Sequence, residues 1–218
     1  GTVGDGVMSA AEVANAIVTV TSASGNHVSV VFTGTAGSVT KSFTANGTTQ
    51  PVSLATADLT TLGQGAVTVS TTATDSSGNT ATSTTGAFAI DSNPPSLTVA
   101  AVGDASKSIS EATSVGGVVS VNAELGTAVT VAFTGTAGNV TKTLVGTGSA
   151  QFVALDSSDL TALGAGAVTV LTTVTDIAGN TTTSTTGAFS LDTTAPTLSV
   201  TAQGDGNLTA TEATAAGG

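Results

Sequence analysis

The sequence predicts an all-β chain of tandem β-sandwich domains with about seven strands each, and three observations point to this fold class. The apolar residues are mainly Val, Ala, Leu and Ile, mixed with Thr, Ser and Gly. Such β-branched mixtures pack well on a pleated sheet and rank low in helix propensity. Short alternating segments are separated by Gly-rich turns, and the whole pattern recurs after about 100 residues, the size of one sandwich domain.

The repeat is visible in three segments that recur with an offset of 101 residues: GTAG at 34 and 135, GAVTV at 65 and 166, and STTGAF at 83 and 184. Near the start, Asp5 matches Asp104 at an offset of 99, so the two copies differ by one two-residue insertion. We therefore predict one repeat in 1–91, a second in 92–192, and a linker with the start of a third in 193–218. Gly1 reads as a cut within a longer array.

Within the second copy, seven alternating segments predict strands at 96–102, 118–123, 128–134, 140–145, 150–155, 167–175 and 181–191. Seven short strands with Gly-rich turns are typical of an immunoglobulin-like sandwich. One helical turn that ends at glycine is predicted at 157–164, and another at 56–63. The predicted core anchors are phenylalanines on facing strands: Phe32 with Phe88, and Phe133 with Phe189.

The charge balance excludes several classes of function. The chain has three basic residues against fourteen acidic ones, for a formal net charge of −11. Nucleic acids and anionic membranes are therefore excluded as partners, because both need a basic surface. No run of about 18 apolar residues predicts membrane insertion. We also predict no enzyme, since there is no Cys nucleophile, no repeated Ser/His/Asp set and no phosphate-binding glycine spacing.

Acidic residues occupy repeated positions, and only Glu124 and Asp156 lack a counterpart in another copy. Asp58 and Asp159 are assigned to the first turn of the two predicted helices. The other ten are the predicted metal ligands: Asp5, Glu12, Asp75, Asp91, Asp104, Glu111, Asp176, Asp192, Asp205 and Glu212. Hard oxygen ligands without Cys favour Ca²⁺ and disfavour zinc or copper, so the predicted cofactor is Ca²⁺.

These ten acids are expected to group by domain junction. We predict one site from Asp75, Asp91, Asp104 and Glu111, and the next from Asp176, Asp192, Asp205 and Glu212. Clustered carboxylates repel without a cation, so each junction is expected to be flexible without Ca²⁺ and stiff with it. Two simpler interpretations stay open: the Asp-x-x-Gly-Asn loop as a plain turn, and the aspartate before the Pro-containing stretch as part of a solvated linker.

The hexapeptide DTTAPT at 192–197, after the DIAGN loop at 176–180, resembles the bacterial Ig-like repeats of giant biofilm and ice-binding RTX adhesins. The first copy has DSNPPS at 91–96 and DSSGN at 75–79 in the same places. The resemblance implies a Ca²⁺-bridged extender region, exported by a type I system to the extracellular bacterial surface, that holds a distal binding domain away from the cell. The second copy departs from the pattern at Ala105, where the other copies have Gly.

The predicted function is therefore a structural spacer of a surface adhesin, a monomeric rod whose partners are neighbouring repeats of the same chain. The alternative is a ligand-binding module for a glycan or host protein, although the chain has neither Trp nor Tyr. A third interpretation is head-to-tail strand donation between chains. The first copy lacks most of the strand at 96–102, and the tail offers a matching segment at 197–202.

Overall fold

The computed structural model describes residues 6–9, 11–12, 15, 17–201 and 210–213. Among the described residues, β-strands are the main regular structure and only short helices accompany them, which confirms the predicted fold class. We call residues 7–90 sandwich 1 and residues 97–192 sandwich 2. Their hydrophobic cores share no residue, so each sandwich packs around its own apolar interior.

Sandwich 1 consists of a five-stranded sheet in the order β1-β7-β6-β3-β4 and a two-stranded sheet of β2 and β5. Its elements are β1 (Val7–Met8), β2 (Val18–Thr21), β3 (His27–Thr33), β4 (Ser38–Thr44), β5 (Thr49–Val52), α1 (Thr56–Leu62), β6 (Gly65–Thr74) and β7 (Thr80–Ile90). The pairing of β1 with β7 is parallel, whereas the other ladders of this sandwich are antiparallel.

Sandwich 2 repeats this plan with a sheet in the order β12-β11-β14-β16-β9, to which β15 adds on β14, and a three-stranded sheet β13-β10-β8. Its elements are β8 (Leu97–Ala101), β9 (Ser106–Ser108), α2 (Ile109–Ala112), β10 (Val119–Ala123), β11 (Ala128–Thr134), β12 (Asn139–Val145), β13 (Ala150–Val153), α3 (Ser157–Leu163), β14 (Gly166–Thr175), β15 (Thr181–Ser184) and β16 (Phe189–Asp192). The last helix, α4 (Ala210–Ala213), lies at the position expected for α2 in a third repeat.

The strand predicted at 181–191 is divided into two strands in the structure. Between them, Gly187 has a φ of 101°, and the Thr186 hydroxyl donates to the Val99 carbonyl oxygen at 2.9 Å. Residues 185–188 are therefore not paired with β14, whereas the strands before and after them are. The corresponding strand of sandwich 1, β7, runs without a break. The short strand β9 is not among the predicted strands.

Both cores are built from the inward-facing side of alternating strands. In β3, Val28, Val30 and Phe32 are buried while their neighbours are more exposed. The Phe32 and Phe88 rings meet edge to face with centroids 6.4 Å apart, and the Phe133–Phe189 pair repeats this distance. The phenylalanines are core anchors as predicted, but the expectation that they lie on facing strands is wrong. Their strands belong to one sheet, with β6 or β14 between them.

Both predicted helical turns are confirmed, and a glycine at each C-terminus has a positive φ, 79° for Gly63 and 73° for Gly164. The GTAG turn packs against the end of each helix. A Cβ on Gly135 would lie 2.3 Å from the Leu163 carbonyl oxygen, so only glycine fits there. None of the described helices has the length and apolar character needed to cross a membrane.

Candidate metal centre at the sandwich junction

Two aspartate loops close the equivalent hairpins of the two sandwiches. In sandwich 1, Asp75 accepts hydrogen bonds from the main-chain nitrogens of Ser77 and Asn79 and from the Asn79 side-chain amide, at 2.8–2.9 Å. In sandwich 2, Asp176 accepts from the main-chain nitrogen and the side-chain amide of Asn180, at 2.8 and 2.9 Å. Each aspartate therefore stabilises its own turn, as the plain-turn interpretation expects.

The two ends of β7 separate Asp75 from Asp91. Asp75 lies at the hairpin before this strand and Asp91 directly after it, and the strand has eleven residues. At about 3.3 Å per residue, such a strand is roughly 36 Å long. The expectation that Asp75 meets Asp91 in one site is therefore wrong, because they occupy opposite ends of sandwich 1.

The loop that does approach Asp91 is the one in sandwich 2. The Asn180 side-chain nitrogen donates to the Asp91 main-chain oxygen at 2.9 Å, and the same nitrogen contacts the Asp176 carboxylate at 2.9 Å. Asn180 is half-buried, whereas its counterpart Asn79 is exposed. The hairpin of sandwich 2 thus lies against the linker. The Asn180 amide nitrogen contacts both the Asp176 carboxylate in sandwich 2 and the main-chain oxygen of Asp91 at the start of the linker.

Glu12 lies at the same end of sandwich 1 as Asp91. Strand β1 runs parallel to β7, and the Asp91 main-chain nitrogen donates to the Met8 carbonyl oxygen at 3.0 Å. Ser9 follows Met8, and its main-chain nitrogen and hydroxyl donate to the Glu12 carboxylate at 3.0 and 3.1 Å. Glu12 and Asp91 therefore lie at one end of sandwich 1, the end that the Asp176 loop of sandwich 2 approaches through Asn180.

Asp104 and Glu111 do not belong to this junction. Strand β9 runs parallel to β16 and places Ser108 opposite Asp192. The Glu111 carboxylate accepts from the main-chain nitrogen and hydroxyl of Ser108, so it lies with Asp192 at the far end of sandwich 2. Asp104 faces Lys107 at 3.5 Å. The expectation that these two acids join Asp91 is wrong, because β8 leads the chain away from the linker before Asp104, and β9 leads it further before Glu111.

The remaining predicted ligands fall outside what the structure describes. Asp5 and Asp205 lie outside the described residues, and Glu212 is described only as part of the backbone of α4. All ten acids stay predicted ligands. The predicted sites took four acids that follow one another along the chain, whereas the structure favours sites that combine acids from adjacent sandwiches.

The start of the linker is held to sandwich 1 by Gln64. Its side chain donates to the Ser92 hydroxyl at 2.6 Å and accepts from the Ser92 main-chain nitrogen at 3.0 Å. The corresponding position in the second copy is Ala165. This two-bond contact is thus specific to the first junction, and the repeat pattern gave no reason to expect it.

The end of the linker is held to sandwich 2 by Glu124 and Thr182. The Glu124 carboxylate accepts from the Ser96 main-chain nitrogen at 3.1 Å, and the Thr182 hydroxyl donates to the Pro95 carbonyl oxygen at 2.6 Å. The lack of a counterpart for Glu124 was the available sequence signal. The equivalent position in sandwich 1 is Ala23.

No basic side chain of the protein compensates the charge of Glu12, Asp91 and Asp176. The chain has only three basic residues, all lysines, and each is paired elsewhere: Lys41 with Asp58, Lys107 with Asp104, and Lys142 with Asp156 and Asp159. Carboxylates without a protein cation nearby favour binding of a metal cation.

The donor set partly fits Ca²⁺. This ion takes carboxylate and main-chain carbonyl oxygens, and the junction supplies both types from Asp176 and Asp91. Within the described part of the chain, however, no three His, Cys, Asp or Glu side chains converge on one point. The carboxylates are instead bound by their own turns, so cation binding would require them to exchange these hydrogen bonds for metal ligation.

Two of the predicted ligands have a pKa that hydrogen bonds lower. The Asn79 side-chain amide and main-chain nitrogen hold the pKa of Asp75 below its usual value. The Ser108 hydroxyl and main-chain nitrogen do the same for Glu111. Both groups are therefore ionised at neutral pH, the state that a hard cation requires.

The chain was then compared with known proteins. Residues 53–155 match the family model of the bacterial Ig-like domain (group 3). This confirms the resemblance to bacterial Ig-like repeats. The matched range begins after β5 of one Ig-like sandwich and ends after β13 of the next, so it covers about one repeat period and contains the linker. No curated protein matches the chain by sequence.

Several solved structures are similar to the chain. A tetra-tandem repeat from the extending region of a large adhesion protein is 25% identical, with a TM-score of 0.39, over 78% of this chain and 42% of its own. A Ca²⁺-stabilized adhesin that helps an Antarctic bacterium reach out and bind ice is 28% identical, with a TM-score of 0.46, over 89% and 48%. A structure that gives insight into host cell surface retention of a 1.5-MDa bacterial ice-binding adhesin is 25% identical, with a TM-score of 0.42, over 88% of this chain and 62% of the chain in that structure. The chain spans less than two thirds of each of these structures.

Proposed function

We propose that this chain is an extender segment of a bacterial cell-surface adhesin, in which Ca²⁺ bound at the junctions stiffens a rod of Ig-like sandwiches. The observation that supports it best is that the Asn180 side-chain nitrogen contacts both the Asp91 main-chain oxygen and the Asp176 carboxylate, which brings acidic residues from the two sides of the linker to one junction. The role is mechanical, with neighbouring repeats of the same chain as partners. The division into 1–91, 92–192 and the start of a third repeat in 193–218 is part of this proposal.

At the first junction, Asp176 and Asp91 would hold Ca²⁺ from the two sides, with Glu12 as a third carboxylate. When bound, the ion supplies a bond between sandwiches that otherwise meet through a few hydrogen bonds. Glu111 and Asp192 would supply the same ligands at the far end of sandwich 2, with the aspartate loop of a following repeat opposite them. The other predicted ligands take the matching places in neighbouring junctions.

Extracellular modules of this kind bind Ca²⁺ with a Kd of about 10⁻⁴–10⁻³ M. A junction with this affinity stays empty in the cytosol and fills outside the cell. The chain would therefore leave the cell flexible, through a type I system, and stiffen at the extracellular surface. This links metal binding to the location where the rod is needed.

The test compares thermal unfolding with and without millimolar Ca²⁺ in two variants with equivalent loops. Asp176→Ala removes a junction ligand. Asp75→Ala removes the same turn bonds from the loop at the opposite end of sandwich 1. We expect Ca²⁺ to raise the Tm of the wild type and of Asp75→Ala, but not that of Asp176→Ala.

Small-angle scattering on the same proteins reports the shape. Ca²⁺ should lengthen and straighten the wild type and leave Asp176→Ala unchanged. A wild type whose Tm and shape ignore Ca²⁺ contradicts the metal mechanism. If both variants lose the Ca²⁺-dependent rise in Tm to the same extent, the effect comes from the turn itself rather than from the junction.

A further inference from the structure

The sequence contains four Asn-x-Ser/Thr tripeptides in which the middle residue is not proline. They begin at Asn46, Asn139, Asn180 and Asn207. This tripeptide is the acceptor motif for N-linked glycans, and an acceptor asparagine must lie on the surface with its side-chain amide accessible. Asn207 lies outside the described residues. The other three differ in what their amide groups bind, and this difference decides which of them can accept a glycan.

The amide of Asn180 is already fully bonded. Its side-chain nitrogen donates to the Asp91 main-chain oxygen and to the Asp176 carboxylate, both at 2.9 Å. An amide nitrogen has two hydrogen atoms, so these two bonds use both of them. The hydroxyl of Thr182, the third residue of this motif, donates to the Pro95 carbonyl oxygen at 2.6 Å. The junction therefore occupies both functional groups of this tripeptide.

Asn139 is exposed, but its motif is part of a regular strand. It is the first residue of β12, which pairs with β11 along its whole length, and it lies opposite Thr134. Residues two positions apart in a strand are about 6–7 Å apart, and among the described residues no hydrogen bond joins Asn139 to Thr141. The ladder therefore holds this motif extended and paired, so a transferase could bind it only after β12 leaves the sheet.

Asn46 lies in the turn between β4 and β5, where Asn46, Gly47 and Thr48 are all exposed. The Asn46 side-chain oxygen accepts from the main-chain nitrogen of Thr48 at 2.9 Å and from its hydroxyl at 2.7 Å. Because a main-chain nitrogen can only donate, it fixes which end of the amide is the oxygen. The side-chain nitrogen faces the other way, and within the described part of the chain it has no hydrogen-bond partner.

We propose that Asn46 is an acceptor for an N-linked glycan. The donor is a sugar activated at its anomeric carbon by a diphosphate. A bond forms between the Asn46 side-chain nitrogen and that carbon. The carbon–oxygen bond to the diphosphate breaks, the diphosphate leaves with its electron pair, and the amide proton passes to a base of the transferase. As the nitrogen loses its proton, negative charge develops on the amide oxygen, where the two Thr48 donors stabilise it.

The Asn46 turn lies at the end of sandwich 1 that is opposite to the linker. Thr44 pairs with His27, and His27 pairs with Thr74 at the end of β6. A glycan is bulky and hydrophilic, so it would project from this end into solvent. The corresponding turn of sandwich 2 has Thr147 in place of Asn46. The modification would therefore mark one repeat and not the other.

Glycosylation of the folded chain tests the proposal. One arm uses a soluble bacterial asparagine glycosyltransferase with UDP-glucose, and the other uses a membrane oligosaccharyltransferase with a lipid-linked oligosaccharide. Peptide mass spectrometry measures the occupancy of each motif. We expect at least about tenfold more glycan on Asn46 than on Asn180, whose amide is released only by local opening of the junction. Modification in the first arm assigns a nucleotide-linked donor, and modification in the second arm alone assigns a lipid-linked donor.

A proteolytic digest of the same chain is the control for the sequence preference of each transferase. In the digest no fold protects Asn139 or Asn180, so their occupancy should rise relative to that of Asn46. If the folded chain is modified equally at Asn46 and Asn180, the proposal is overturned. It is also overturned if Asn46 stays unmodified in both arms while the digest is modified there.

Two variants of Thr48 test the contribution of its hydroxyl. Thr48→Val keeps the size of the side chain and removes the donor, whereas Thr48→Ser keeps the donor. Thr48 is exposed, so both substitutions leave sandwich 1 folded. We expect Thr48→Val to lose the glycan and Thr48→Ser to retain it. Full modification of Thr48→Val contradicts the proposal. None of these reactions depends on Ca²⁺, so their outcome is separate from that of the metal mechanism.

Discussion

The side-chain nitrogen of Asn180 lies 2.9 Å from the main-chain oxygen of Asp91, and this hydrogen bond joins sandwich 2 to the start of the linker. Its counterpart Asn79 donates to the Asp75 carboxylate within its own turn, at 2.8 Å, as Asn180 also does to Asp176. The same five-residue loop thus stabilises a turn in both sandwiches, and in sandwich 2 it also binds the linker.

Asn180→Ala should loosen the junction, because it removes a hydrogen bond between sandwich 2 and the start of the linker, with a net value of about 0.5–1.5 kcal/mol. Backbone ¹⁵N relaxation reports this as different rotational correlation times for the two sandwiches. Asn79→Ala serves as the control, since it removes only the bond within the turn. If both variants tumble like the wild type, the bond does not restrain the junction.

The two helices offer an internal test of N-capping. Asp156 accepts from the main-chain nitrogens of Ser158 and Asp159 at the start of α3, whereas Ala55 at the start of α1 has no side-chain acceptor. We expect Ala55→Asp to stabilise sandwich 1 by about 1 kcal/mol. Asp156→Ala should destabilise sandwich 2. Urea unfolding followed by NMR signals of each sandwich separates the two effects, and an unchanged midpoint for Ala55→Asp contradicts the argument.

Acid should weaken the α3 cap. The Ser158 hydroxyl and the Asp159 main-chain nitrogen hold the pKa of Asp156 well below its ordinary value of 3.8. Since the folded pKa is depressed, the stabilisation is complete above the unfolded pKa and is lost as the pH falls below it. The difference in unfolding free energy between the wild type and Asp156→Ala should therefore shrink between about pH 5 and about pH 2. A constant difference over this range would show that ionisation of Asp156 contributes nothing.

Gly135→Ala should destabilise sandwich 2 by about 1–3 kcal/mol, because the added methyl group would overlap the Leu163 carbonyl oxygen. Gly116→Ala is the control in the same sandwich, since its Cβ would come no closer than 3.6 Å to another residue. Thermal unfolding of both variants measures the difference. Similar Tm values would mean that the turn and the end of α3 move apart at little cost.

The functional assignment depends on the geometry of the junction more than on any single residue. Gln64, Glu124 and Thr182 hold the two ends of the linker by hydrogen bonds. Under the proposed function, a cation bound there would act on a linker that is already partly ordered.

The sequence by itself determined the repeat, the fold class, the two capped helical turns and most strand positions. These depend on local patterns: alternation along β3, glycine at the end of α1, and an offset of 101 residues between copies. Local patterns report which residues enter a strand and where it ends. They also identified the acids as a set that recurs.

Only the tertiary structure decided which acids meet. The eleven-residue strand β7 separates Asp75 from Asp91, and the parallel pairing of β1 with β7 places Ser9, which the Glu12 carboxylate binds, at the Asp91 end of sandwich 1. The hairpin of the next sandwich then delivers Asp176 to the same linker. Asp75 and Asp91 are far apart because the strand between them extends about 3.3 Å per residue. The loop of Asp176 reaches the linker because strand direction and pairing decide which strand ends lie together.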